Sequence, residues 1–382
     1  VTQAAQTNAP KSTDERARVY HRLARRVTYA EFGVGLAFLL VLLVTGLTFW
    51  LRDLAAGIGG GWTIVLLVYF VILTLAYEVI SLPLAYYGGF ALERRFGLTN
   101  QSTRAWAWDL LKSVLLSLVL GLFAVGILYG TVRMAGAGWW LVCGAVFTLW
   151  FVLLSGLAPV LILPLFYKFT RIEDTDLSSG LTDLCRRAGT KIAGIYRWEL
   201  SAKTRRANAA LMGWGATRRV VLADTLIENF TPDEVETVLA HELGHQRLHH
   251  LSILMVSQAI LVFVAFFVVD RLYLTLGPWF GLTSLADPAG MPLVVLVCVL
   301  VGVIALPGVN TLSRSLERAA DRYALELTDK GQDFLSALER LGDLNLAEKE
   351  VPPVIEFLFH SHPSLARRIA ATRAFLDQGQ GG

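Results

Sequence analysis

"HELGHQRLHH", residues 241–250, runs at Leu251 into a long apolar stretch. Metal-competent side chains and a membrane span therefore meet at one join. His241 and His245 are four residues apart, so one helical turn stacks them on the same face. Glu242 is rotated about 100° from His241 and can reach a water beside a metal rather than the metal itself. This is the H-E-x-x-H arrangement of zinc hydrolases, in which two imidazoles share one ion. His249 continues the face, but a straight helix does not easily wrap three successive turns around one ion. The longer H-E-x-x-H-x-x-G-x-x-H pattern fails, because Leu248 and Leu251 occupy its Gly and His positions. His250 is expected off the metal face, at the membrane surface.

Upstream, "TPDEVETVLA" opens the helix. Thr231 suits the N-cap, Pro232 the first helical position, and Glu234 completes a capping box. Val235, Val238 and Leu239 form the apolar stripe. Downstream, the helix is expected to continue without a break into the apolar run.

The whole chain supports a membrane reading. Of its 382 residues, 54% are hydrophobic and 17% charged, against about 25% charged in an average soluble domain. Six runs approach the roughly 20 apolar residues a span needs: 33–51, 62–89, 113–131, 139–166, 251–269 and 291–312. Pro83, Pro159 and Pro164 predict tilts or kinks in the second and fourth. If the N-terminus is cytosolic, only Arg52, Arg133 and Arg271 of the 34 Lys and Arg residues fall in external loops. The positive-inside rule favours that orientation, and an even span count returns the C-terminus to the cytosol. A net charge of +3 gives no bulk basic character, so no nucleic-acid partner is expected. Cys143, Cys185 and Cys298 are too few and too dispersed for a disulfide framework or a cysteine zinc site. No cleavable signal peptide is read, and residues 1–12 are expected to form a flexible tail.

The expected organisation is a cytosolic segment (1–32), four spans (33–166), a cytosolic catalytic segment (167–250), two spans (251–312) and a second cytosolic segment (313–382). Residues 167–250 and 313–382 flank the last two spans, so they can fold together as one split domain. Within them, "LSSGLTDLCRRAG" has helical spacing with Gly189 as its stop. "IAGIYRWEL", "NAALMGW" and "RRVVLAD" read as short strands from their β-branched and aromatic content. "LSRSLERAADRYALELT" and "PSLARRIAATRAFL" read as amphipathic helices.

A third ligand must come from elsewhere. Glu317 in "SRSLERAADRYA" is the best placed, just after the sixth span, with Asp321 one turn on. Ligating histidines usually donate their second N–H to a carboxylate, a role open to Asp321. The pattern alone equally fits an ordinary charged helix with internal ion pairs.

"HELGH", two spans and then "ERAAD" resembles the integral-membrane zinc metalloproteases of the CAAX prenyl protease type. "FALERRFGL", "LPLFYKFT", "NAALMGW" with "RRVVLADTLIE", and "SHPSLARRI" have counterparts there, in the same order, over roughly residues 60–375. The resemblance implies a mainly helical membrane protein, about six spans enclosing a hydrated chamber, with a split cytosolic zincin-like α+β domain. It implies one zinc ion held by His241, His245 and Glu317, with Glu242 as general base and Asp321 supporting a ligating histidine. His362 and Arg368 match residues that contact the substrate carbonyl or the oxyanion. Asn208 and Ala209 match an edge strand that holds substrate backbone. The implied substrate is a peptide or membrane protein, lipidated as in CAAX maturation or misfolded as in quality control. The implied setting is a bacterial inner membrane, with the zinc site cytosolic. Members with seven spans carry an extra helix before the first one here. Thr99 stands where an Asn is usual, which bears on prenyl-peptide specificity. Glu78, within the second span, is expected to face the hydrated interior, and Asp109 and Lys112 either do the same or mark the interface.

Two other classes compete. A metal transporter should carry ionisable residues near the membrane midplane, and most histidines here lie outside the spans. A non-catalytic scaffold with structural zinc should close its site with four protein ligands.

Overall fold

Ser12 caps the first helix, its hydroxyl accepting the Glu15 amide at 3.2 Å. In the computed structural model, which describes residues 12–173 and 176–379, this helix, α1, covers Thr13–Val44. The tail expected over 1–12 lies outside the described residues except for Ser12. The expected first span does not continue to residue 51. Gly46, at φ 71°, breaks it, and a separate short helix α2 follows at Leu47–Gly57. The left-handed residue turns the chain here, and glycine takes that conformation at little cost.

Next come α3 (Trp62–Tyr86), α4 (Thr103–Ala135) and α5 (Trp139–Leu157). Both expected proline distortions take the form of π-helical turns, Tyr87–Leu92 beyond Pro83 and Ala158–Ile162 around Pro159. A proline has no N–H for the helical ladder, and the chain re-registers nearby.

Among the described residues, five helical stretches are long and apolar enough to cross a membrane: Thr13–Val44, Trp62–Arg95, Thr103–Phe166, His250–Phe280 and Pro288–Thr328. The third is not one straight rod. It doubles back at Gly136, and the Phe123 and Trp150 rings meet with centroids 6.2 Å apart. Its two arms cover the residues of the expected third and fourth spans. Apolar side chains such as Val79, Leu274 and Ile304 stand at least 70% exposed on these helices, as lipid-facing residues do. Between α1 and α3 lies an apolar cavity of about 570 Å³, lined by Leu36, Phe70 and Leu73 among others.

The remaining chain builds a small sheet and its helices. Strands β1 (Phe169–Arg171), β2 (Ile195–Trp198), β3 (Ala209–Met212) and β4 (Arg219–Ala223) lie in the order β1-β2-β4-β3. The three-residue β1 has too little pattern to be expected from sequence. β2 and β4 run parallel, and the other pairings are antiparallel. β3 therefore forms one open edge. Helix α6 (Asp176–Arg187) ends before Gly189, at φ 68°.

Helix α7 (Pro232–Arg247) carries "HELGH" and has the full capping box of Thr231 and Glu234. It does not run on into the membrane. His249 is left-handed at φ 57°, and α8 (His250–Leu276) starts anew. Helix α9 (Met291–Thr328) contains both the sixth span and "ERAAD". Its 38 residues extend about 57 Å at 1.5 Å each, well beyond a bilayer core of about 30 Å. Helices α10 (Gly331–Leu344), α11 (Pro353–Phe359) and α12 (Leu365–Gly379) complete the chain. One apolar core joins Leu184, Val221, Leu239 and Leu243 to Ala324, Leu338 and Leu365. The two soluble segments thus share a single interior.

Candidate metal centre

The capping box fixes where α7 begins, and its buried stripe fixes its rotation. Val235, Leu239 and Leu243 are at most 1% exposed. That rotation turns His241 and His245 toward α9. Gly244 lies against Ala320, where a side chain would crowd backbone. The two helices can therefore approach closely enough for Glu317 to reach both imidazoles.

His241 Nε2 and His245 Nε2 are 3.1 Å apart. Glu317 Oε2 lies 3.4 Å from the first and Oε1 3.4 Å from the second. Tetrahedral ligands about 2.0–2.1 Å from a zinc-sized ion stand about 3.3 Å from one another. The donor set fits a metal on a second count: Glu317 Oε2 is buried without a hydrogen-bond partner. Such an orphaned carboxylate oxygen is costly unless a cation satisfies it.

The electrostatics agree. Burial alone would lower the His241 pKa, but the Asp321 and Glu317 carboxylates beside it carry it up to about 9. Burial, with the nearby His241 charge, pushes His245 down to about 4. The cluster draws in one positive charge and keeps the second imidazole neutral. Glu242 is also raised, chiefly by burial. A carboxyl so shifted is a better proton acceptor than an exposed one.

Asp321 Oδ1 lies 2.8 Å from His241 Nδ1. Its partner on the other side is Arg368, whose Nε and Nη2 donate to the two carboxylate oxygens at 2.9 and 2.6 Å. Arg368 also lines the cleft, but its forked donors are engaged by Asp321. His362 Nε2 stands 3.3 Å from Glu317 Oε1, with its side chain 63% exposed. Asn208 and Ala209 line the same cleft of about 360 Å³ as His241 and Glu242. The Ala223 amide donates to the Asn208 carbonyl at 2.9 Å. By antiparallel alternation, Ala209 and Leu211 then turn their N–H and C=O outward to the open edge. The Asn208 side chain accepts the Ala209 amide there, at 2.9 Å.

Asp109 and Lys112 behave as an interface joint. Asp109 binds Lys112 at 2.7 Å, Gln101 at 2.7 Å and also Lys203. These bonds tie the start of α4 to the loop before β3.

The structure departs from the sequence reading at His250. It is 3% exposed, and its Nδ1 lies 2.9 Å from His245 Nδ1. The left-handed turn at His249 rotates His250 back toward the site, while His249 itself points to solvent. Sequence spacing misses this because it assumes one continuous helix. Arg314 was also missed. It donates to the carbonyls of Glu356 and His360 at 2.8 and 2.6 Å, holding the segment that leads to His362. A buried arginine one turn before Glu317 looks in sequence like any other basic residue.

Residues 171–375, more than half of the chain, match the family model described as Peptidase family M48. The chain belongs to peptidase family M48. Residues 1–168 match the region described as CAAX prenyl protease N-terminal, five membrane helices. The uncharacterized metalloprotease YhfN of Bacillus subtilis is 28% identical over 78% of this chain and 71% of its own length. CAAX prenyl protease 1 of Saccharomyces cerevisiae is 30% identical over 77% of this chain and 68% of its own length. The fold is similar to that of S. mikatae Ste24p, with a TM-score of 0.87 at 24% identity, covering 97% of this chain and 91% of that one. This M48 peptidase is accordingly an integral-membrane metalloendopeptidase with a peptide substrate and a lipid surround. Its membership sets aside the transporter and scaffold readings.

Proposed function

We propose that this M48 peptidase is a zinc enzyme that cuts membrane-borne peptides at the cytosolic mouth of its helical domain. The observation that carries this reading is the meeting of His241, His245 and Glu317 in one cleft with Glu242 and the open edge of β3. Two histidines and one carboxylate form a donor set that zinc favours and that leaves a coordination position open. Bound there, zinc would acidify a water and polarise the scissile carbonyl.

The chain's own residues supply the rest. The outward N–H and C=O groups of Ala209 pair with an extended peptide and align it along the cleft. Asn208, which now accepts the Ala209 amide, gives way to a substrate carbonyl. Glu242 takes the proton of the attacking water and passes one to the leaving amine. His362 is exposed beside Glu317 and donates to the oxygen that becomes negative. Asp321 orients His241, and Arg368 holds Asp321 from the wall of the cleft.

The distribution of Lys and Arg supports a cytosolic position for both termini and the zinc cleft, in a membrane that we read as a bacterial plasma membrane. A lipidated C-terminal peptide is the first substrate class to test, because several named relatives are CAAX prenyl proteases. Misfolded membrane protein is the second. Purified, zinc-loaded full-length protein in detergent is given a farnesylated fluorogenic peptide and its unmodified twin, beside Glu242→Gln. Cleavage lost in the variant supports the reading, and preference between the twins reports the need for lipid. Cleavage that survives Glu242→Gln overturns it.

A further inference from the structure

Ala207, two residues before Ala209, is gripped by a side chain from a distant part of the chain. Asn345 Oδ1 accepts the Ala207 amide at 3.0 Å, and Asn345 Nδ2 donates to the Ala207 carbonyl at 3.2 Å. One carboxamide thus satisfies both backbone groups of one residue, as a neighbouring strand would. Asn345 lines the cleft with Ala207, Asn208, Ala209, His241 and Glu242.

The grip depends on an unusual turn. Asn345 is the C-cap of α10, and Leu346 follows at φ 48°. The Leu346 amide bonds to the Asp343 carbonyl, and the Ala347 amide to the Gly342 carbonyl at 2.8 Å. This is the helix-ending pattern that normally takes glycine in the left-handed position. A leucine there is strained. Leu346 is 5% exposed and packs with Tyr20, Leu92 and Phe96, which places the strained turn on the membrane helices. His21 Nε2 also lies 2.8 Å from the Leu346 carbonyl. The residue before Ala207 is held by the same helices. Arg206 Nη2 donates to Tyr20 at 2.8 Å and to Glu93 at 3.0 Å.

We infer that Asn345 is a positioning residue for peptide hydrolysis: by holding both backbone groups of Ala207, it sets where the open edge of β3 lies relative to Glu242 and the metal ligands. Asn345 touches neither the reacting atoms nor the metal cluster. It acts through Ala207 on the pairing groups of Ala209. The inference rests on the proposed use of β3 as the substrate edge.

The test separates edge pairing from metal binding in zinc-loaded, full-length protein. A peptidyl hydroxamate spans the metal and the edge, whereas acetohydroxamate reaches the metal alone. In Asn345→Ala, binding of the peptidyl hydroxamate weakens about ten-fold, the scale of a lost hydrogen-bond pair, and KM for the unmodified peptide rises alike. Zinc content and acetohydroxamate binding stay at wild-type levels. Asn345→Asp keeps the volume but sets a second acceptor against the Ala207 carbonyl, and gives the same selective loss should the alanine variant not fold. Equal weakening of both hydroxamates, or of neither, overturns the inference. If the wild-type protein cleaves neither peptide, the proposed activity fails, and the two hydroxamates still decide the role of Asn345.

Discussion

Gly244 stands against the backbone of Ala320: a methyl group on Gly244 would lie 3.1 Å from the Ala320 Cα and 3.2 Å from its carbonyl oxygen. The glycine of "HELGH" is therefore a spacer between two helices. It sits between the two histidines and opposite the turn that carries Glu317 and Asp321. Gly244→Ala should force α7 away from α9 and cost about 1–3 kcal/mol, as overpacking does. Thermal unfolding and zinc content measured together check this. A stable variant with full zinc would show that the close approach is dispensable.

Glu242 lies in the cleft but outside the ligand cluster. Glu242→Gln should retain zinc and lower kcat by about two to four orders of magnitude, the scale of lost general-base catalysis. Metal analysis beside peptide cleavage separates this from a ligand loss. By contrast, Glu317→Gln should lose the metal and the activity together.

His250 and His249 are adjacent and should behave differently. His250→Ala removes the partner of His245 Nδ1 and should weaken zinc binding by about 10–100-fold, as loss of a ligand's supporting hydrogen bond does. Asp321→Asn should do the same through His241. His249→Asn, which keeps a residue type at home in the left-handed turn, should leave zinc affinity unchanged, because the His249 side chain is exposed. Competition with a chromogenic chelator measures all three.

Zinc affinity should rise with pH in the metal-free protein. The folded cluster holds a proton on His241, whose pKa is raised to about 9. Zinc must displace that proton below pH 9 and need not do so above it. His245, lowered to about 4, is already neutral near pH 7 and releases nothing. Between pH 6 and 8 the apparent affinity should therefore climb about ten-fold per pH unit, with one proton released per ion bound. Calorimetry in buffers of different ionisation enthalpy counts the protons. A release near zero would show that His241 is neutral before the metal arrives.

Much of the architecture was legible because its signals are local. Thr231, Pro232 and Glu234 mark a helix start through bonds within one turn. The spacing of His241 and His245 fixes a shared face by helical geometry alone. Apolar runs of about twenty residues mark spans. The join between α7 and α8 was not legible, because His249 takes a left-handed conformation that its residue type does not demand. The same holds for Gly46, which looks like any small residue in an apolar run until the chain turns there. β1 escaped notice because three residues carry no period.

What the sequence determined by itself was the identity of the reacting groups: an H-E-x-x-H face, a later acidic turn, and a chain threaded repeatedly through lipid. Those follow from residue type and from periods of one or two turns. The tertiary structure alone decided which distant groups meet. Glu317 completes the cluster because Gly244 lets α9 lie close, and His250 joins it because the chain breaks at His249. Arg368 is held on Asp321, and Asn345 on the backbone of Ala207. Each of these contacts depends on packing between segments far apart in the chain, and no local spacing encodes such packing.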